Sequence, residues 1–410
     1  MSDPTAAPHR VSDSNPAATL ARPGLLIVGI LLVAANLRAG LTVVGPLLGE
    51  VRADLGLTSV AGSALISLPV LCFAVFSPFA PPLAKRLGME RTLGLSLAVL
   101  AVGIVLRSVP WLPALWIGTV LLGIAIATAN VILPALLKRD FPGNASRLTG
   151  VYSAMQSAMA AAASGLAVPL AGLTPSGWRL AFGLWAGAAL IALAVFSPQL
   201  RRRTVPAIHD HAPLSQPARF QSPWRHALGW QVSIFMGTQS TLFYVVLTWW
   251  PSIEESNGVL PAVAGFHQGL FQLCGIAGSL ITAALLHRWH RDQRGTLLLF
   301  APLPAAAILG QLFLPELAIL WNALLGLSAG ATLVLALALF SLRTGHHAQA
   351  AALSGMAQSV GYLLAAAGPI LLGALHDATG SWTWPLITLL ALQVVQFISG
   401  YLSARNRTLP

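Results

Sequence analysis

Arg38 lies near the middle of the first long apolar stretch, and none of the apolar stretches contains an Asp or Glu to neutralise it. An arginine at the centre of a bilayer-spanning helix costs about 2.5 to 3.5 kcal/mol on insertion scales, so it persists where it has a partner or a watery cavity. Two readings follow. The guanidinium faces a cavity and binds an anion, or it is bonded to the carbonyls of a broken helix. Helical spacing sets Arg38, Thr42 and Gly45 on one face, and Gly45-Pro46 thins and kinks the far end of the same stretch.

Neutral polar side chains recur in other apolar stretches. Ser240, Tyr244 and Thr248 form one stripe with Gln239 and Trp249 beside it, Asn130 lies one turn before Pro134, and Asn322, Ser328 and Thr332 share a later segment. Such groups orient a small polar ligand, or serve as interhelical hydrogen bonds of about 0.6 kcal/mol each. Tyr152 with Gln156, and Gln358 with Tyr362, stand at i, i+4, a spacing that suits a hydrogen-bonded pair as well as a ligand contact. His267 is the one histidine inside an apolar segment; it is a candidate for proton coupling, or a polar anchor near the interface. No carboxylate proton carrier is expected inside the membrane. Walker, HExxH and nucleophile-elbow patterns are absent, so neither an enzyme nor an energy-coupling domain is supported, and no cofactor or metal is implied. Cys72 and Cys274 read as small apolar residues.

The elements that carry these residues are set by composition. Hydrophobic residues make up 56% of the 410-residue chain and charged residues 9%, with mean hydropathy +0.75, against about 25% charged in soluble domains. Runs of about 20 apolar residues fall at approximately 24-47, 61-84, 92-109, 112-137, 148-172, 180-197, 227-250, 262-287, 296-314, 316-342, 350-375 and 382-403. An all-α membrane protein of twelve transmembrane helices is the expectation. Lys and Arg concentrate in the tail and even-numbered loops, whereas the other loops hold only Arg52, Arg107 and Arg179 beside several acids. By the positive-inside rule both termini are cytoplasmic. The net charge of +11 is explained by that rule and not by nucleic acid, since basic and aromatic residues do not interleave. Residues 1-22 read as a disordered cytosolic tail and 198-226 as a cytosolic linker, its histidines lacking metal-ligand spacing. Between them, 23-197 and 227-404 each hold six segments. Leu137-Lys138-Arg139-Asp140 with Leu148-Thr149-Gly150 matches Leu342-Arg343 with Leu353-Ser354-Gly355, and Val60-Ala61-Gly62 matches Val263-Ala264-Gly265, so the halves repeat in parallel orientation.

Two parallel six-helix halves joined by a basic loop resemble the major facilitator superfamily. That superfamily carries Gly-x-Leu-Ala-Asp-Arg-x-Gly-Arg-Lys in its 2-3 loop; this chain keeps Leu83, Ala84, Arg86, Gly88 and Arg91 and replaces the Asp by Lys85. Lys85, Arg86, Gly88 and Arg91 thus form a conformational loop by resemblance, with Asp140 as the expected partner of Lys85. A narrower resemblance, to the cyanate permease and 2-nitroimidazole exporter family, rests on Asn36-Leu37-Arg38-Ala39-Gly40-Leu41-Thr42, Ala129-Asn130-Val131-Ile132-Leu133-Pro134 and the stretch Met236 to Pro251. It implies a secondary active transporter in the inner membrane that moves a small, cyanate-like anion by alternating access. The alternative is an exporter of neutral heteroaromatics such as 2-nitroimidazole, recognised by Phe243, Tyr244, Trp249 and Trp250. A receptor on the same scaffold is a third. Resemblance also implies that segments 1, 4, 7 and 10 line the cavity, with Arg38 binding the charge and Asn36, Thr42, Asn130, Gln239, Tyr244 and Trp249 completing the pocket.

Overall fold

A computed structural model describes residues 23–141, 145–175, 177–201, 222–288, 292–345 and 347–410. The tail 1–22 and residues 202–221 of the linker lie outside the described residues. Among the described residues twelve helices are long and apolar enough to cross a bilayer: Leu26–Leu55, Ser59–Leu87, Met89–Ser108, Leu112–Leu137, Leu148–Ala171, Trp178–Arg201, Ala227–Ser256, Pro261–Leu286, Arg294–Phe313, Pro315–Leu342, Ala352–Thr379 and Thr383–Ala404, numbered spans 1 to 12. Among the described residues there is no strand. This follows from the solvent, because hydrocarbon offers backbone groups no partner and a helix satisfies them within one segment.

Spans 1–6 and 7–12 form two halves. An even number of crossings puts both chain ends on one face, the terminal face; the opposite side is the distal face. Span 5 packs on span 8 and span 2 on span 11, so each half touches the other along two pairs. One large apolar cluster crosses between the halves, joining Val43, Val44 and Leu47 of span 1 to Val246, Leu247 and Trp250 of span 7. A smaller one, including Val232, Phe235, Leu297 and Leu353, belongs to the second half alone. Large apolar side chains such as Leu280, Phe313 and Leu371 are exposed, as lipid-facing residues are.

Span 1 is broken. A helix Pro23–Thr42 is followed by a 3-10 turn Gly45–Leu47 and a helix Leu48–Leu55. Pro46 has no N–H to offer the carbonyl of Thr42, and Ser164 Oγ of span 5 donates to that oxygen at 3.0 Å. Val44 N donates to Leu41 at 3.3 Å in the tighter turn, leaving Gly40 without its usual donor. Arg107 of span 3 takes the place, its Nη1 2.7 Å from the Gly40 oxygen.

Three charge assignments from the sequence are corrected. Arg107 is not a loop residue but sits inside a helix, 2% exposed, with its guanidinium 4.9 Å from the Phe182 ring. Glu254 and Glu255 lie in span 7, which does not stop at Trp250 but continues through Pro251 to Ser256. Proline ends a helix only if nothing re-satisfies the carbonyl it orphans, and neighbouring spans can do so. Asp140 is bonded by Arg139 (Nε to Oδ1, 2.6 Å) and not by Lys85, which is exposed at the end of the helix Ala80–Leu87. Nη2 of Arg139 also meets the buried Glu90 at 2.8 Å, so the acid facing the loop comes from Glu90, just after Gly88.

Candidate substrate cavity

Arg38 opens into a cavity of about 510 Å³ between the halves, continuous with a second lobe of about 410 Å³. The first lobe takes Arg38 and Thr42 from span 1, Phe73 and Ser77 from span 2, Asn130 from span 4, and Tyr152 and Gln156 from span 5. The second half faces them with Phe243, Tyr244, Gln358 and Tyr362. The second lobe runs between spans 5, 7, 8 and 10, past Gln239, Ser240, Phe271 and Gln272. Asn130, Gly150, Gly355 and Ser359 are exposed along it, so the cavity opens on the terminal face.

The distal face is closed. A methyl group on Gly45 would overlap the carbonyl oxygen of Leu247, whose carbon lies 3.4 Å from that position. Leu247 is the residue to which Pro251 cannot donate, so the glycine backbone seats against a carbonyl that the proline has freed. Gly265 of span 8 also packs closely on span 5, its Cβ position 2.9 Å from the Ser164 oxygen and 3.4 Å from Pro46. Asp377 of span 11 accepts from Ser59 N at 2.9 Å, with Arg52 3.9 Å away.

Arg38 is half-buried, its guanidinium carbon 5.5 Å from the centre of the Phe243 ring. Among the described residues its guanidinium makes no ion pair and no hydrogen bond. Stacking on an aromatic face contributes about 0.5–2 kcal/mol and leaves the in-plane N–H donors free. The arginine bonded to a carbonyl of a broken helix is Arg107, through Nη1 to Gly40.

The other expected pocket residues divide. Thr42, Asn130, Gln239 and Tyr244 line the cavity. Thr42 also donates to Ala160 at 3.1 Å, and Gln239 donates to Ser240 Oγ at 2.8 Å. Asn36 does not line it: Nδ2 donates to Leu32 and to Ala188 of span 6, which makes it packing glue. Trp249 does not either. Its Nε1 donates to Pro369 at 2.8 Å and its ring lies 5.2 Å from Trp382 at the distal end. Gln358 donates to Ser354 at 2.8 Å and not to Tyr362, so the spaced pair does not bond to itself. Of the loop residues, Gly88 takes φ +91°, which favours glycine, and Arg91 donates to Leu200 at 3.2 Å. His267 lies outside the cavity, 2.9 Å from Glu254. Reading the sequence missed Phe243 as the ring under Arg38, a contact that its spacing from Tyr244 does not signal.

Residues 30–369 match the family model of the Major Facilitator Superfamily. The chain belongs to that superfamily. It is 42% identical over 383 residues to the 2-nitroimidazole transporter of Escherichia coli (strain K12), covering 93% of this chain and 96% of that one. It is 25% identical over 377 residues to the cyanate transport protein CynX of the same organism, covering 90% and 96%. Its fold matches the crystal structure of a bacterial homolog of the human lysosomal transporter Spinster, with TM-score 0.77, 14% identity, and 96% and 98% of the two chains covered. This major facilitator chain is a multi-pass membrane transporter and not an enzyme.

Proposed function

We propose that the chain is a secondary transporter of flat aromatic or heteroaromatic compounds carrying a paired-oxygen acceptor, a nitro or carboxylate group, moved by alternating access of the two halves. The observation that carries this is Arg38 on Phe243, with no protein acceptor among the described residues. A guanidinium edge presents parallel N–H donors matched to two oxygens, and Phe73, Tyr152, Tyr244 and Tyr362 supply the flat apolar walls for a ring. A three-atom anion such as cyanate satisfies the charge of Arg38 but leaves most of some 510 Å³ unfilled; most of a ligand's surface is normally buried in its pocket. The 42% identity to a 2-nitroimidazole transporter favours the ring-bearing ligand. The arginine-rich loops favour a cytoplasmic terminal face, and thus a cavity open to the cytoplasmic side of the inner membrane.

Binding to purified protein tests this with 2-nitroimidazole, unsubstituted imidazole, benzoate and cyanate. The expected order has 2-nitroimidazole and benzoate well above the other two, with that preference lost in Arg38→Gln. Equal binding of imidazole and 2-nitroimidazole, unchanged by Arg38→Gln, would refute it. Binding of cyanate alone would return the substrate to a small anion.

A further inference from the structure

A single ring held at Arg38 between the aromatic walls of the first lobe does not use the second lobe, some 410 Å³ between spans 5, 7, 8 and 10. Most of a ligand's surface is normally buried in its pocket, and the pocket is correspondingly filled. Arg38, Phe243 and Tyr244 line both lobes, so a ring anchored at Arg38 borders the second one. Phe271 carries the aromatic surface onward, its ring centre 5.7 Å from that of Phe243.

The lobe ends where spans 5 and 8 meet. Gly269 seats against span 5, its Cβ position 3.0 Å from the Ala161 oxygen. Just short of that contact, Phe271 and Gln272 form the floor. The wall between spans 8 and 10 is backbone on backbone, since a methyl on Gly326 or Gly330 would overlap the carbonyl oxygen of Phe271 or Gly275. Gln272 is 3% exposed, and its Nε2 has no hydrogen-bond partner among the described residues. Gln268, one turn nearer the distal end on the same face of span 8, is fully buried with both amide atoms unpaired among them. Other polar groups of the lobe are engaged within the protein: Ser279 Oγ donates to Gly275 at 2.8 Å, and Gln239 Nε2 to Ser240 Oγ at 2.8 Å. Buried amides are normally hydrogen-bonded, and leaving one unpaired is costly. A ligand group that reaches the floor removes that cost. A primary amide both donates and accepts, so the complementary group does the same, as a hydroxyl or a carboxamide does. Charge does not fit. Apart from Arg38 at the junction, no Lys, Arg, His, Asp or Glu among the described residues lines the lobe, and a carboxylate buried without a positive partner is strongly disfavoured.

We infer that the second lobe is a subsite for a neutral hydrogen-bonding substituent on the ring, selected by Gln272, so that the preferred compounds carry paired oxygens at one end and a hydroxyl or carboxamide at the other. This rests on the ring reading of the first lobe. Titration of purified protein with benzoate, 4-(hydroxymethyl)benzoate, 4-ethylbenzoate and terephthalate tests it, the second and third being alike in size. The hydroxymethyl compound is expected to bind about tenfold more tightly than the ethyl one, and terephthalate more weakly than benzoate. Gln272→Met, a change of similar volume, is expected to erase the hydroxyl preference while leaving benzoate within about twofold. It is also expected to raise the melting temperature of the ligand-free protein, because it removes an unpaired buried amide; a purely structural glutamine would lower it on replacement. Equal binding of the hydroxymethyl and ethyl compounds by the parent overturns the inference. So does a preference that survives in Gln272→Met, terephthalate bound above benzoate, or a lower ligand-free melting temperature in Gln272→Met. If no benzoate binds, that failure belongs to the Arg38 reading, and benzyl alcohol against ethylbenzene, neither with a carboxylate, decides the second lobe. A preference for the alcohol that Gln272→Met abolishes supports the subsite, and equal binding overturns it.

Discussion

Gly45→Ala is expected to hold the transporter open on the distal face. Gly45 sits in the 3-10 turn of span 1 with no positive φ, so an alanine fits the backbone. Its methyl does not fit the closed packing: it would overlap the Leu247 oxygen, with the Leu247 carbon 3.4 Å and Pro251 Cγ 3.7 Å away. Both belong to the interior of span 7 and no side-chain rotation moves that oxygen aside. The turn must draw back by about 1 Å to restore an ordinary carbon–oxygen contact, and overpacking of this kind costs about 1–3 kcal/mol. The strain exists only while spans 1 and 7 touch. It therefore shifts the closed-to-open ratio by about 5- to 150-fold and leaves the fold intact. With Cys72 and Cys274 replaced by serine, Leu47→Cys, buried in the closed face, gives a reporter for a membrane-impermeant maleimide. Labelling is expected to accelerate in the Gly45→Ala background, and net transport to fall because the cycle requires closure. A labelling rate within about twofold of the parent, with transport unchanged, would show that this contact is not the gate.

Three further outcomes follow from the same geometry. Arg38→Lys keeps the charge but loses the fork; in uptake assays it is expected to discriminate poorly between nitro-bearing and plain imidazole, and native discrimination would detach Arg38 from recognition. Arg107→Met removes the donor to Gly40 and leaves that buried carbonyl unpaired, a loss of about 1–3 kcal/mol; calorimetry should show lower stability and titration weaker binding, although Arg107 touches no ligand, and a variant as stable as the parent would contradict its role in the break. A topology reporter fused after Arg407 is expected to score cytoplasmic and one inserted at Gly258 external; the reverse pattern would invert the orientation.

Much of this was legible because hydropathy is a local property. Twelve apolar runs and their charge bias need no tertiary knowledge, and Arg38 stood out because nothing else in its run is charged. What failed to show was pairing across long separations. Asn36 looked like a pocket residue beside Arg38, but its partner is a carbonyl 152 residues away on span 6. Trp249, beside the polar stripe of span 7, turns instead to a carbonyl of span 11, 120 residues on. Arg107 was counted with the loops because it lies near a hydropathy boundary, and the carbonyl that makes its burial tolerable belongs to a break in span 1. Glu254 was lost for the opposite reason. Trp249-Trp250-Pro251 resembles the end of a helix, so the acids beyond it were read as loop, whereas His267 and Asn322 make it possible for the helix to carry a buried carboxylate past the proline.

The two intramembrane arginines answer the same electrostatic problem differently. Each stacks on a phenylalanine, Arg38 on Phe243 and Arg107 on Phe182, so the aromatic face does not distinguish them. The acceptors do. For Arg107 the protein manufactures one by breaking span 1 at Gly45-Pro46 and freeing the Gly40 carbonyl, and the residue is then 2% exposed. Arg38 lies two residues before that carbonyl and receives no such acceptor among the described residues, yet it faces a cavity that opens on one side. The fixed arginine thus clamps the segment that aims the free one. A charge kept unneutralised at that depth favours a ligand that brings an acceptor with it. If that acceptor is a carboxylate, its passage is worth about 2.3 kcal/mol per 100 mV of membrane potential; if it is a nitro group, the potential has no grip on the ligand. Flux of benzoate and of 2-nitroimidazole should therefore differ in voltage dependence while sharing the same dependence on Arg38.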